Sequence, residues 1–237
     1  MQTIGLIGGM SWESTIPYYR HINETVRAQR GGLHSAKLVL YSVDFQEIES
    51  LQRSADWVQA GALLSSAAQK LEGAGADFLV LCTNTMHIVA PIIEAAVQIP
   101  LHHIADPTAA AIRAQGLGTV GLMGTRFTME QAFYKDRLAQ QHGLHVLTPD
   151  AADQYTIHRI IFEELCLGRI VDASRAAYRA AMDRLVQRGA QAIILGCTEI
   201  SLLVDASDCA VPLFDTTALH AVSAAHRALA AGSLPAR

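Results

Sequence analysis

The feature that most constrains this chain is a pattern written into it twice, an apolar run that halts abruptly at small polar residues. The first copy is Leu79-Val80-Leu81-Cys82-Thr83-Asn84-Thr85-Met86-His87 and the second is Ile193-Ile194-Leu195-Gly196-Cys197-Thr198-Glu199-Ile200. Apolar runs of this kind, bounded by turn or helix-start residues, read as buried parallel strands. Ligands of open α/β sheets bind at the carboxyl ends of such strands. The rest of the chain supports a duplication. Thr119-Val120-Gly121-Leu122-Met123-Gly124 echoes Thr3-Ile4-Gly5-Leu6-Ile7-Gly8 at an offset of 119 − 3 = 116. Gly189-Ala190-Gln191-Ala192-Ile193 echoes Gly75-Ala76-Asp77-Phe78-Leu79 at an offset of 189 − 75 = 114. Glycine, strand and tip align without gaps in each matched segment, which favours two α/β halves over the general likeness of strand–helix units.

Between these landmarks the pattern predicts a helix over 16–30 with Pro17 in its first turn, a strand over 37–43, and helices over 56–71 and 173–188. Gly73 and Gly75 cap the 56–71 helix, and Pro91 opens a new helical segment after the first tip.

The internal alignment sets Gly196 opposite Cys82 and Cys197 opposite Thr83. Successive side chains on an extended segment alternate sides, so Thr83 is expected to point to the ligand and Cys82 away from it. Cys197 is either a small buried hydrophobe or a working thiolate with its pKa lowered from ~8.5 by helix-start amides; its place at a tip favours the second. Cys166 and Cys209 read as structural. Thr83, Asn84 and Thr85 suit both helix capping and the holding of a substrate carboxylate. For His87 a ligand-facing role and a hydrogen-bonded interior role are equally open. Gly5-x-x-Gly8-Gly9-Met10 lacks the full dinucleotide-loop spacing, and Asp44 is a weak ribose partner, so no nicotinamide cofactor is expected. The loop is expected to let the backbone of Gly9 and Met10 approach a small ligand. Gln52 and Arg53 follow the second strand; Arg53 is a carboxylate partner by chemistry and a surface residue by frequency.

Composition excludes several classes of function. Eighteen Lys and Arg against 22 Asp and Glu leave a formal charge of −4, with no basic excess for nucleic acid. No apolar stretch approaches a bilayer span, and the N-terminus enters a strand pattern with no basic leader. Cysteines at 82, 166, 197 and 209 form no Cys-x-x-Cys pair, which argues against a structural zinc or a disulfide framework and for free thiols in a cytoplasmic enzyme.

At these same residues the chain resembles the cofactor-independent aspartate/glutamate racemases, and within them the enterobacterial broad-specificity or L-aspartate/glutamate-specific subgroup. The carriers are Gly5-Leu6-Ile7-Gly8-Gly9-Met10-Ser11-Trp12-Glu13-Ser14-Thr15, Cys82-Thr83-Asn84-Thr85-Met86-His87, Phe162-Glu163-Glu164-Leu165-Cys166-Leu167-Gly168 and Gly196-Cys197-Thr198-Glu199-Ile200. The resemblance implies two pseudo-symmetric, Rossmann-like α/β lobes with parallel sheets and an active site in the cleft between them, in a homodimer. The expected division is 1–98 with 211–237 as one lobe and 99–210 as the other. It further implies two-base racemisation of a small amino acid, with Cys197 taking the α-proton of the L-enantiomer and Thr83 serving the opposite face. Met10, Gln52, Thr83, Asn84, Thr85 and Thr198 become the expected substrate contacts, with no cofactor and no metal. Most family members carry cysteine at the position of Thr83, and a hydroxyl is a poor base at neutral pH, so turnover is expected to favour L-substrates. Some aspartate racemases carry a lysine where this chain has Leu167, which makes homoserine an alternative to an acidic substrate. The competing readings are an isomerase or decarboxylase of the maleate isomerase or arylmalonate decarboxylase type, and a non-catalytic amino-acid sensor.

Overall fold

The computed structural model describes residues 1–230; residues 231–237, grouped with the first lobe by the sequence reading, lie outside the described residues. The chain divides into two compact units, one of residues 1–104 with the segment from His220 onward, the other of residues 105–219.

The first unit runs β1 (Ile4–Gly8), α1 (Trp12–Arg30), β2 (Leu38–Ser42), α2 (Phe45–Arg53), α3 (Trp57–Gly73), β3 (Phe78–Leu81), a 3-10 turn (Thr85–Val89), α4 (Ala90–Ala95) and β4 (Leu101–His102). Its four strands are parallel in the order β2-β1-β3-β4. The second unit runs α5 (Ala105–Ala114), β5 (Thr119–Gly124), α6 (Arg126–Glu130), α7 (Ala132–Asp136), β6 (His145–Leu147), α8 (Ala151–Glu163), α9 (Asp172–Gln187), β7 (Ala192–Gly196) and β8 (Leu213–Asp215). Its strands are parallel in the order β6-β5-β7-β8. Helix α10 (Thr216–Ala230) starts with the second unit and continues with the first.

The duplication is visible in the pairing register itself. Gly5 of β1 lies opposite Leu79 of β3, which lies opposite Leu101 of β4. Gly121 of β5 lies opposite Ile193 of β7, which lies opposite Leu213 of β8. A Cβ on Gly5 would sit 3.1 Å from Leu79 and 3.3 Å from Leu71 of α3. A Cβ on Gly121 would sit 2.7 Å from Ile193 and 2.9 Å from Leu185 of α9. In each half, therefore, a helix leucine rests on a glycine of the second strand in the sheet order. Gly75 (φ +88°) and Gly189 (φ +99°) follow those helices in the left-handed region that glycine tolerates best.

Both faces of the first sheet are covered. Ile7, Leu79 and Leu81 pack with Leu64, Ala68 and Leu71 of α3 and Ile93 of α4. Ile4, Leu6, Phe78, Val80 and Cys82 pack with Tyr18, Ile22 and Val26 of α1 and with Ala221, Ala225 and Ala228 of α10. This explains the near-continuous apolar strands, since each buried Leu or Ile contributes roughly 1.5–3 kcal/mol. In the second unit Ile193, Leu195 and Cys197 pack with Ile157 and Ile161 of α8 and with Tyr178 and Met182 of α9.

Helix α1 begins four residues earlier than the proline suggests. Ser11 is its N-cap and accepts from the Ser14 N–H at 3.4 Å, while Thr15 Oγ1 donates to the Ser11 carbonyl at 2.8 Å. Pro17 thus stands inside the helix, where it withholds the N–H that would reach the Glu13 carbonyl. Pro91 falls where expected, in the first turn of α4. Among the described residues no helix is long and apolar enough to cross a membrane.

Candidate active site

Each unit carries one of the two tips, and each tip is built by local hydrogen bonding. In the first, the Cys82 N–H continues the ladder to the Ile7 carbonyl at 2.9 Å, and the Thr83 N–H turns back to the Leu81 carbonyl at 2.8 Å. Alternation along β3 sends Cys82 to the same side as Phe78 and Val80, into the α1–α10 core. The Cys82 thiol is wholly buried and burial pushes its pKa far up. It is a packing group.

Thr83, Asn84 and Thr85 are all buried. Asn84 stands at the N-cap of the 3-10 turn but makes no side-chain capping bond there, so the capping half of the sequence expectation fails at this residue. A turn this short has few free amides to cap. His87 resolves to the interior alternative. Its Nδ1 lies 2.8 Å from the Thr83 carbonyl, its Nε2 lies 3.2 Å from the Ile104 N–H, and it is 2% exposed.

Met10 is buried and shares a cluster with Ile48 and Met86. Gln52, on α2, reaches the same neighbourhood: its Nε2 donates to Met86 Sδ at 3.0 Å. Its Oε1 is buried with no hydrogen-bond partner among the described residues. The Gly9 N–H donates to Thr15 Oγ1 at 2.9 Å, and a Cβ on Gly9 would run into the Val43 carbonyl. Gly9 is thus explained by close approach to the backbone beyond β2, with its amide already engaged. Arg53 pairs with Glu49 at 2.6 Å on the exposed side of α2, and Asp44 caps that helix through the Gln46 N–H at 2.9 Å. Both are structural.

In the second unit β7 ends at Gly196, where a Cβ would stand 2.9 Å from the Met123 carbonyl and 2.7 Å from Leu122. Only glycine fits there, which fixes Cys197 as the first side chain beyond the strand. Cys197 is 7% exposed. Its Sγ–H donates to Glu199 Oε2 at 3.0 Å, and Thr198 Oγ1 donates to the same oxygen at 2.8 Å. Burial first, and the Glu199 carboxylate second, push the thiol pKa well above its ordinary value. This reverses the expected depression. The segment after Cys197 is a short 3-10 turn, Ile200–Leu202, in place of an α-helix whose amides could stabilise a thiolate. Beneath the cysteine, burial likewise holds the Tyr178 phenol protonated, and its OH donates to the Ile157 carbonyl at 3.4 Å. On the other side of β7, Thr216 Oγ1 donates to the Leu195 carbonyl at 2.8 Å and steadies the strand end.

Glu199 is the residue that sequence reading passed over. Its signal was a carboxylate two positions after a cysteine at a strand end. The four cysteines are free, and among the described residues no group of three or more His, Cys, Asp or Glu is arranged to hold a metal ion. Leu167 closes the 3-10 turn Leu165–Leu167 and is exposed.

A model of the Asp/Glu/Hydantoin racemase family matches residues 7–224. The chain belongs to that family. It is accordingly an isomerase of the racemase type. A Yersinia pestis protein solved as a candidate Asp/Glu racemase is 61% identical, with a TM-score of 0.90 over 97% of this chain and 100% of that one. An aspartate racemase homologue from Pyrococcus horikoshii is 33% identical, with a TM-score of 0.82 over 97% and 100%. The broad specificity amino-acid racemase RacX of Bacillus subtilis is 24% identical over 93% of this chain and 95% of its own length. The paired α/β units of this chain are thus those of the racemase family.

Proposed function

We propose that this racemase interconverts L- and D-amino acids without a cofactor, using Cys197 and Thr83 on opposite faces of one α-carbon. What carries the reading is the buried Cys197 thiol aligned on the Glu199 carboxylate at 3.0 Å, at the tip homologous to Thr83 by internal repeat. The carboxylate keeps the thiol protonated at rest and offers an adjacent acceptor when the sulfur acts as base. The sulfur then takes the α-proton of an L-substrate, and a proton from the Thr83 side completes inversion. An opposed pair is required, because one base alone would return the proton to the face it left. Thr83 acts as base only on a D-substrate, and a hydroxyl is a poor base at neutral pH, so the reading includes a bias toward L-substrates.

Substrate contacts in this reading come from Met10, Gln52, Thr83, Asn84, Thr85 and Thr198. The unpartnered Gln52 Oε1 supports side-chain selection by that residue, because a buried amide oxygen without a donor favours a ligand that supplies one. Aspartate, glutamate and homoserine are the candidates. The enzyme is read as a cytoplasmic homodimer; Trp12, Ile16 and Tyr19 form an exposed apolar stripe on α1 of the kind a second copy covers.

The deciding experiment incubates each candidate amino acid in D₂O with enzyme and no added cofactor, following deuterium at Cα and the D/L ratio together. Deuterium entry with inversion supports two-base racemisation. Exchange without inversion supports one-base isomerase or decarboxylase chemistry, whereas Thr83 in place of cysteine speaks for a sensor that kept the fold and lost catalysis. Binding without exchange would mark a sensor and end the proposal.

A further inference from the structure

Sequence spacing separates His87, His102, His103 and His220, but the first unit gathers them. The rings of His87 and His103 lie 4.3 Å apart, those of His102 and His220 stack at 5.3 Å, and His87 lies 6.1 Å from His220. Two of them, His87 and His220, grip the backbone. His220 Nε2 donates to the His102 carbonyl at 2.7 Å, which leaves Nδ1 to accept from Tyr18 Oη at 2.9 Å. For His87 the two partners are of opposite kind. A carbonyl can only accept, so the Thr83 oxygen at 2.8 Å requires a proton on Nδ1; a backbone N–H can only donate, so Ile104 at 3.2 Å requires a bare Nε2. The ring is therefore neutral, in the Nδ1–H tautomer. Ile104 is the last residue before the chain passes to the second unit, and His220 is the first after it returns.

We infer that His87 is a positioning residue for Thr83. It ties the carbonyl of the residue proposed to act as acid–base group to the N–H where the chain leaves the first unit. The orientation of Thr83 is then set by a tautomer-locked bridge as well as by the turn its own N–H makes to the Leu81 carbonyl. This rests on the reading of Thr83 given above, and it separates two steps that a general loss of structure would not. Exchange of the L-substrate α-proton at Cys197 needs no proton from Thr83, whereas inversion does.

The experiment compares inversion with deuterium exchange, starting from L-aspartate, L-glutamate and L-homoserine, in the wild type, His87→Ala and His87→Gln. Misplacement by an ångström costs up to about a hundredfold in a positioned reaction. His87→Ala is expected to lower the inversion-to-exchange ratio by about ten- to a hundredfold, with exchange itself little changed. His87→Gln keeps one donor and one acceptor on a neutral side chain and is expected to restore most of the ratio. Inversion and exchange falling together, or a ratio untouched by the alanine, would overturn the inference. If the wild type neither exchanges nor inverts, the racemase reading has failed instead. The bridge is then still tested by ¹⁵N spectra of His87, where a protonated ring or the Nε2–H tautomer would overturn it.

Discussion

Replacing Glu199 with glutamine should make Cys197 easier to ionise. The carboxylate oxygen lies 3.0 Å from Sγ, and it acts on the thiol twice, by repelling the thiolate and by accepting the thiol hydrogen. At an effective dielectric near 20, two unit charges at that separation repel by about 5.5 kcal/mol. Solvent relaxation at the tip lowers this, and burial continues to hold the thiol above its ordinary range. A downward movement of about one pH unit or more is therefore expected in Glu199→Gln. The assay is alkylation by iodoacetamide between pH 6 and 10, read on the Cys197 peptide by mass spectrometry so that Cys166 and Cys209 do not contribute. The pH dependence of deuterium exchange into L-substrates should move in the same direction. A midpoint that stays put or rises would refute the view that Glu199 holds the proton on this sulfur.

Cys197→Ala should abolish inversion and exchange, whereas Cys82→Ala should retain turnover and lose about 1 kcal/mol of stability from the cavity left under α1; chiral chromatography and urea melts separate the two. Because burial raises the Cys82 pKa above its unfolded value of 9.0, the native state keeps a proton that the unfolded chain gives up. Stability should accordingly be full below about pH 9 and fall above it by up to roughly 1.4 kcal/mol per pH unit from this thiol, a component that Cys82→Ala removes. Gly121→Ala, which forces a Cβ to 2.7 Å from Ile193, should cost about 1–3 kcal/mol in the same melts. Trp12→Lys should shift sedimentation toward the monomer if a second copy covers the α1 stripe.

Much of the architecture could be read in the chain because its signals were local. Apolar runs of strand length, glycines after helices and a repeated offset predicted two parallel α/β halves, and the register Gly5–Leu79 against Gly121–Ile193 matches them. The start of α1 was misplaced because Pro17 is a loud marker, while the Ser11 cap that actually begins the helix is a quiet one. The side chosen by Cys82 followed from alternation alone. The ionisation of Cys197 did not, because it depends on burial and on a carboxylate whose direction only the folded turn fixes. His87 was undecidable in sequence, since its partner at Ile104 lies seventeen positions away.

One chain that solves the same packing problem twice carries its own control. A leucine presses on a glycine in both halves, Leu71 on Gly5 and Leu185 on Gly121. The same substitution made at each position meets a helix leucine and an aliphatic side chain of the third strand, on a shared background. Where the two outcomes agree, they measure the common scaffold. Where they part, the difference belongs to what each half has since specialised to do, a hydroxyl at one tip and a sulfur at the other.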